Sequence, residues 1–420
     1  MSIKLITLIV IVLGVLALAQ LVRVYELSSK LRNRREEDIT HRDNKANATL
    51  MLLFMILSYV GYFYLIAKFG WTGRGEAASL EGVETDWLLN VNFIIINVAF
   101  FLTNTLLFYF SYKYVRKPGV KAYYYPHNNK LEMLWTVVPA IVLAVIIILG
   151  LKLWNNLTGD SAKDAIRIEL FSKQFDWTAR YAGENNKLGY FDYKLTTQQN
   201  ELALKTSATL DSAIRLMEYG SADGTVMGIA LLEKKLNDPA NIFVPEDREK
   251  MEADLDRKTR LLRLLYQMRS THDAKHDALA YDDIIQKDTL HLMVDQEYEF
   301  NFRSKDVIHS AYFPHFRQQI NTVPGLTTRL KFTPTITTAD MKDRMKNPDF
   351  NYVLMCNKIC GGAHYKMKMI IVVDTPEDYK KWLAGKSTFG DDYLKKPEAP
   401  VEMAVPEAPV ADTVQQVAVK

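Results

Sequence analysis

Residues 353–367 of the chain read VLMCNKICGGAHYKM, and this stretch places four metal-binding side chains at short, regular steps. Cys356 and Cys360 are followed by His364 and then by Met367. Two thiolates, an imidazole and a thioether form a soft, electron-rich set of ligands that suits copper. A mononuclear blue-copper loop needs one thiolate, so the second cysteine indicates two sulfurs that bridge two metal ions. A second imidazole can come from His309, in the upstream segment DVIHS.

The same residues have two simpler interpretations, a disulfide and a zinc site. The chain has only two cysteines, and a disulfide between them would leave His364 and Met367 without a role. Zinc binds cysteine and histidine but has little use for a thioether. We therefore expect a dinuclear copper centre. His315 is a rival for the second imidazole, but the Asp-Val-Ile-His-Ser context favours His309.

The pattern C-x-x-x-C-x-x-x-H-x-x-M, preceded by D-V-I-H-S, resembles the CuA site of subunit II of cytochrome c oxidase. Residues 127–139, HNNKLEMLWTVVP, are similar to the entry of the last transmembrane helix in that family, and residues 174–177, QFDW, to the aromatic strand beside its copper. The resemblance implies a Greek-key cupredoxin sandwich. It also implies the following ligands: bridging Cys356 and Cys360, capping His309 and His364, a weak axial Met367, and the backbone carbonyl of Lys358.

The resemblance further implies an electron relay in a proton-pumping oxidase. Such a subunit accepts electrons from a c-type cytochrome and passes them to haem in the catalytic subunit, which reduces oxygen. The chain itself is then expected to hold no catalytic residue and no haem, since it has no Cys-x-x-Cys-His motif. We expect the partners to be the haem-bearing catalytic subunit, other oxidase subunits, the cytochrome and the lipid bilayer. With a net charge of only +3, no nucleic-acid partner is expected.

Two residues bear on ion and proton binding, one in the copper motif and one at the cytoplasmic start of the last membrane helix. Lys358 stands where the family usually has a glutamate that binds magnesium, and an ammonium group cannot ligate a hard cation. We therefore expect no magnesium bound by this chain. Glu132 opens the last membrane helix, where a first-turn carboxylate is favoured by the helix dipole. The family places a proton-uptake carboxylate at the same position, so both roles remain open.

The aromatic segment differs from the family at the point where electrons enter. Phe175 stands where an entry tryptophan usually lies, and Trp177 follows two residues later, on the same face of a predicted strand. We expect electrons to enter through Phe175 and Trp177. Basic residues near the copper motif, Arg303 and Lys305, argue against the usual soluble cytochrome c. A tethered cytochrome domain, or one from a neighbouring respiratory complex, is the alternative hypothesis.

Four segments are apolar enough to span a bilayer, which takes about 20 residues: about Leu5–Val22, Thr49–Lys68, Trp87–Tyr112 and Leu131–Trp154. Basic residues fill the first and third loops, while the short second loop is mainly acidic. Both basic loops should face the cytoplasm, which places the polar half on the periplasmic side of a bacterial inner membrane. The first segment resembles a signal peptide, but cleavage would leave the basic cluster outside, so we expect a retained helix.

The chain divides into four parts by composition: two additional N-terminal helices (1–86), a helical hairpin (87–156), a cupredoxin domain (157–392) and a flexible tail (393–420). Alternating apolar residues after Trp154 predict half-buried strands. Residues 196–283 instead show helical periodicity, and we predict a helical insertion with helices at about 202–217, 226–236 and from Pro245. The insertion is either a structural elaboration or a docking surface. Its His272 and His276 have helical spacing but no third ligand, so we expect them at a solvated surface.

Two rival functions share part of this pattern. The second subunit of a quinol oxidase would have the same helices and sandwich but should lack the thiolates. A membrane-anchored copper carrier would have the ligands but has no need of the helix entry at residues 127–139.

Overall fold

The computed structural model describes residues 3–31, 40–70 and 75–395. Within these ranges, four helices are long and apolar enough to cross a membrane: α1 (Ile3–Leu31), α2 (His41–Phe69), α3 (Leu80–Lys113) and α4 (Asn129–Thr158). The expectation of four apolar helices is confirmed. The predicted basic cluster at Arg32, Arg34 and Arg35, and the predicted flexible tail beyond residue 395, lie outside the described residues.

Helices α2 and α3 pack through aromatic side chains. The rings of Tyr59 and Phe101 lie 4.8 Å apart, and the Tyr59 hydroxyl is 3.0 Å from that of Thr105. Helix α2 starts at the N-cap Thr40, which forms a capping box with Asp43. This pair satisfies backbone donors that the first turn would otherwise leave without partners.

The polar half is a sandwich of two five-stranded sheets in the described part of the chain, with strand orders β3-β2-β1-β5-β8 and β4-β10-β9-β6-β7. The strands are β1 (Ile166–Lys173), β2 (Asp176–Tyr181), β3 (Ile284–Gln286), β4 (Thr289–Met293), β5 (Tyr298–Ser304), β6 (His309–Phe313), β7 (Gln318–Thr322), β8 (Thr328–Phe332), β9 (Tyr352–Cys356) and β10 (Lys368–Asp374). The β1–β5 and β4–β10 pairs are parallel and the other pairs are antiparallel.

The alternation that predicted these strands also fills the core. Ile168 and Leu170 of β1 lie beside Phe300 and Phe302 of β5, and all four side chains are fully buried. Inward residues of both sheets join one apolar cluster that extends to Cys356 and Cys360. This is the two-sheet packing expected of a cupredoxin sandwich.

The helical insertion lies between the neighbouring strands β2 and β3. It contains α5 (Ser207–Tyr219), α6 (Ile229–Asn237) and α7 (Pro245–Ser270), followed by α8 (Ala278–Tyr281). The first helix begins at Ser207, later than predicted, because Thr206 caps it with its side chain. The helices bury a small core of their own, which includes Leu210, Ile214 and Leu265.

The segment 76–86, which the sequence analysis assigned to the N-terminal part, packs on the sandwich. Ala78 is fully buried in the sandwich core, and its N–H donates to the carbonyl of His315. Asp86 forms an ion pair with Arg317 at 3.0 Å. These contacts join segments that are far apart in the sequence, so no local hydrophobic period predicts them. Three short helices complete this unit: α9 (Thr338–Met345), α10 (Pro376–Ala384) and α11 (Phe389–Lys395).

Candidate metal centre

The candidate ligands gather at one end of the second sheet, in the loop that joins β9 to β10. We call residues 356–367 the ligand loop. Its ends are held together because the N–H of Cys356 donates to the carbonyl of Met367 at 3.0 Å. A turn of 3₁₀ helix at His364–Lys366 then points the chain back into β10. The first and last ligands of the motif are therefore neighbours across an antiparallel strand pair.

His309 reaches the same place from the neighbouring strand. Strand β6 begins at His309 and pairs with β9, with Ala311 opposite Cys356. The N–H of Asn357 donates to the carbonyl of Ser310 at 3.1 Å and continues this pairing into the ligand loop. Strand register thus brings together residues that are far apart in the sequence.

The five side chains form one compact cluster around two sulfur atoms. The Sγ atoms of Cys356 and Cys360 lie 3.8 Å apart, well beyond the length of about 2.05 Å of a disulfide bond. Three further donors surround this pair: His309 Nδ1 lies 3.8 Å from Cys356 Sγ, His364 Nδ1 lies 3.5 Å from Cys360 Sγ, and Met367 Sδ lies 3.9 Å from Cys360 Sγ. The thiol of Cys356 donates to the carbonyl of Lys358 at 3.1 Å.

This donor set fits copper. Each thiol has an imidazole nitrogen within 3.8 Å, and the ligand atoms of His309, Cys356 and Cys360 all lie within 4.8 Å of one another, close enough to share metal ions. His309 is fully buried and Met367 is 2% exposed, so the cluster is largely shielded from water. Thiolate, thioether and imidazole together are ligands that select copper over harder ions. A thioether among them argues against zinc.

A second layer of hydrogen bonds fixes the orientation of His309. Its Nε2 lies 2.9 Å from Asp306 Oδ1, which leaves Nδ1 directed at the thiol. Burial opposes ionisation of Asp306, but hydrogen bonds from the Gln174 N–H and from His309 outweigh it and lower the pKa of this carboxyl. A carboxylate on the outer nitrogen is the usual way to orient a metal-binding histidine.

Gln174, for which no role was predicted, supports the other cysteine. Its side-chain Nε2 donates to the carbonyl of Cys360, while its backbone N–H donates to Asp306 at 2.8 Å. One residue therefore ties the ligand loop to the loop that carries His309. The QFDW segment contained this residue, but an amide side chain has no spacing signal of its own.

The Cys360 thiol is protonated in the metal-free protein near neutral pH. Burial, and then the neighbouring Cys356, raise the pKa of Cys360 to about 11. Thiolates are the metal-binding form, so binding of a metal would release protons.

The two aromatic residues predicted for electron entry lie at different depths. Trp177 is fully buried in β2, with its ring 6.3 Å from that of His309. Phe175 lies in the turn before β2, is partly exposed, and packs against the ligand loop at Gly361. A Cβ atom on Gly361 would lie 2.9 Å from the Phe175 ring, and its φ of +142° also favours glycine. The Gly-Gly pair in the motif is the signal for this close approach.

Other candidate residues lie elsewhere. His315 contacts the rings of Phe350 and Tyr352 at the far end of β6, and burial, with Arg317, lowers its pKa. It is not part of the thiol cluster. The His272 side chain is buried and lies 2.6 Å from Asp277. The expectation of a solvated surface is therefore wrong for this residue. Asp277 also accepts from the N–H of Ser207, the first residue of α5. Glu132 lies in the first turn of α4.

The comparisons with known proteins agree with the motif. Residues 72–153 match the family described as cytochrome c oxidase subunit II, transmembrane domain. The alternative cytochrome c oxidase subunit 2 of Bradyrhizobium diazoefficiens is 23% identical over 350 residues, which cover 82% of this chain and 93% of that protein. Cytochrome c oxidase subunit 2 of Thermostichus vulcanus is 35% identical over 94 residues, which cover 22% of this chain and 24% of that protein.

A solved structure, the periplasmic domain of subunit II of cytochrome oxidase from Bradyrhizobium japonicum, aligns with 56% of this chain and 98% of its own, at 13% identity and a TM-score of 0.25. The family match covers most of the α3–α4 hairpin, and the match to the Bradyrhizobium diazoefficiens protein includes both the helices and the sandwich. The chain is therefore similar to cytochrome c oxidase subunit II in both parts.

Proposed function

We propose that this chain binds a dinuclear copper centre of the CuA type and acts as the electron-relay subunit of a respiratory cytochrome c oxidase. One observation carries the proposal: two free thiols lie 3.8 Å apart, and each has an imidazole nitrogen within 3.8 Å. A single-copper site would leave one of these thiol–imidazole pairs without a purpose.

Each ligand has a distinct role in this proposal. Cys356 and Cys360 would hold both metals between them, while His309 and His364 would each bind one. The two remaining donors, the thioether of Met367 and the carbonyl of Lys358, would act as weak ligands that adjust the site without holding it. When bound, the two coppers would supply reversible one-electron transfer, with the charge spread over both metals and both sulfurs.

The residues around the ligands favour such a role because they keep the cluster fixed and dry. Asp306 and Gln174 lock the two loops together through hydrogen bonds to His309 and Cys360. The buried thioether and imidazole keep water away from the sulfurs. A rigid, water-poor site changes little when its charge changes, and this favours rapid electron exchange.

The finer parts of the function extend this proposal to the complex. Electrons would enter from a c-type cytochrome on the side of Phe175, with Trp177 behind it next to His309. They would leave for haem in the catalytic subunit, where oxygen is reduced and protons are pumped. Glu132, in the first turn of α4, would serve proton entry. The sandwich would lie on the periplasmic side of a bacterial inner membrane.

Metal analysis of paired histidine variants tests the ligand set. The full chain, purified with copper, should contain two copper ions per molecule. His309→Gln should lose copper, because it removes the imidazole beside Cys356. His315→Gln should retain both ions, since the His315 ring packs against Phe350 and Tyr352 beyond β6 and is not part of the thiol cluster. Equal loss in the two variants, or a single copper in the parent chain, would contradict the proposal.

A further inference from the structure

The surface around Phe175 has a distinct charge pattern. We call it the entry face, and it comprises the turn Lys173–Asp176, the loop Ser304–Ile308 and the exposed part of the ligand loop. These segments are joined by backbone contacts: the Lys305 N–H donates to Ser172, and the Gln174 N–H donates to Asp306. Phe175 touches Gly361. The face therefore borders the metal centre directly.

Three lysines meet at one carboxylate on this face. The Nζ atoms of Lys173, Lys287 and Lys305 lie 2.5, 3.0 and 3.7 Å from the carboxylate of Glu201, which the insertion supplies. The hydrogen bonds from Lys173 and Lys287 outweigh the effect of burial and lower the pKa of Glu201 to about 2. Glu201 is thus ionised but neutralises only one of the three ammonium groups.

The ligand loop and the first residue of β10 add further positive charge. Lys366 and Lys368 are exposed, and the sequence between Cys356 and Lys368 contains no acidic residue. Within the described residues, no carboxylate forms an ion pair with either lysine, although Lys366 lies over the Tyr365 ring.

The acidic side chains of the entry face accept hydrogen bonds from within the protein. Asp306 accepts hydrogen bonds from Gln174 and from His309. Asp176 accepts from the N–H of Trp177. Asp306 is nevertheless exposed, as is Asp288 beside Lys287 at the edge of the face, and these two carboxylates offset part of the lysine charge. What a docking molecule meets near Phe175 is therefore mainly ammonium groups.

Exposed apolar side chains lie among these charges. Tyr365 is 78% exposed in the ligand loop, and Val307 and Ile308 are exposed just before His309. Small, partly apolar contact areas surrounded by charge suit short-lived complexes between electron-transfer proteins. The charge sets which partner is accepted, since like charges repel at the encounter.

Building on the electron-relay function proposed above, we propose that the entry face docks an acidic electron donor, a c-type cytochrome domain whose haem edge is surrounded by carboxylates. Lysine-rich cytochromes would be repelled by Lys173, Lys305, Lys366 and Lys368. The insertion takes part because it supplies Glu201, which holds three of the lysines in one place.

Binding measurements with one cytochrome in two charge forms test this inference. The full chain in detergent is titrated with a lysine-rich c-type cytochrome and with the same cytochrome succinylated, which replaces its ammonium groups by carboxylates. The succinylated form should bind at least about tenfold more tightly at low ionic strength, and the preference should shrink as salt screens the charges. The double variant Lys173→Glu/Lys305→Glu should remove most of this preference.

The control is Lys380→Glu, on α10, which follows the end of β10 opposite to the ligand loop. It changes a charge at an exposed lysine away from the entry face and should leave the preference unchanged. Tighter binding of the unmodified cytochrome, or an equal effect of the two sets of substitutions, would overturn the inference. Binding is measured on the chain with and without copper, so that a failure to load copper can be distinguished from a failure to bind the cytochrome.

Discussion

At the residue scale, replacing Met367 tests whether its thioether adjusts the reduction potential or is needed to hold the metals. Its sulfur lies 3.9 Å from Cys360 and it is almost fully buried. Met367→Leu keeps the volume and loses the thioether, so we expect both coppers to remain bound while the reduction potential shifts. Potentiometry with metal analysis checks this prediction. Loss of all copper in this variant would show that the thioether holds the metals.

Lys358 presents its backbone to the site and its side chain to solvent. The carbonyl accepts from the Cys356 thiol at 3.1 Å, and the side chain is exposed. Any side chain offers the same carbonyl, so Lys358→Gln should leave the copper spectrum and copper content unchanged. An ammonium group cannot ligate a hard cation. Manganese EPR of the oxidase should accordingly show no manganese near residue 358, and a manganese signal coupled to the copper would contradict this assignment.

At the element scale, the helices α5–α7 should be removable as a unit. Ser207 and Asp277 are in hydrogen-bond contact at 3.1 Å, so a short Gly-Ser link can replace the residues between them. The preceding segment must stay, because Leu202 and Leu204 pack with Phe171 and the Leu202 carbonyl accepts from Arg303. We expect this deletion to retain two coppers and to weaken co-purification of partner proteins.

Deletion of the wider segment Thr197–Asp282 serves as the comparison. It removes Glu201, Leu202 and Leu204 from the sandwich as well as the helices, and we expect it to unfold the domain. If the narrow deletion also lost its copper, or if it retained every partner, the helices would be a structural elaboration and not a docking surface.

A buried ionic cluster on the outer face of the first sheet should make stability depend on pH. Arg180 binds Glu169 and Asp283, and Arg303 also binds Glu169. Burial, together with the neighbouring carboxylates, outweighs Arg180 and raises the pKa of Asp283 from 3.8 to about 7. Between these values the folded protein holds a proton that the unfolded chain has released. The free energy of unfolding should therefore fall as the pH rises from about 4 to about 7.

Thermal unfolding of the full chain in detergent, followed over this pH range, checks the sign. Asp283→Asn should flatten the dependence between about pH 4 and 7, because the group no longer titrates. Asp288→Asn, at an exposed site, should leave it unchanged. A melting temperature that rises through this window would mean that Arg180 dominates and that Asp283 is ionised throughout.

At the scale of the whole molecule, the sequence predicted local features better than it predicted contacts between distant residues. The four apolar helices, the alternating strands and the ligand spacing are local features, and each is visible within a few turns of chain. The parallel pairing of β1 with β5 and the burial of Ala78 bring distant segments of the chain together. Such long-range contacts leave no periodic pattern in a single sequence. The hydrogen bond between Asp306 and His309 is an intermediate case. Both residues belong to a motif that the sequence shows, but only the structure shows that they contact each other.

The central claim is that one electron can be shared by two coppers bound to Cys356 and Cys360. Copper EPR of the loaded full chain tests it most directly. We predict the multiline hyperfine pattern of an electron shared equally by two copper nuclei, and its loss in both Cys356→Ser and Cys360→Ser. A spectrum of a single copper in the parent chain, or a two-copper pattern that survives either serine substitution, would contradict the account.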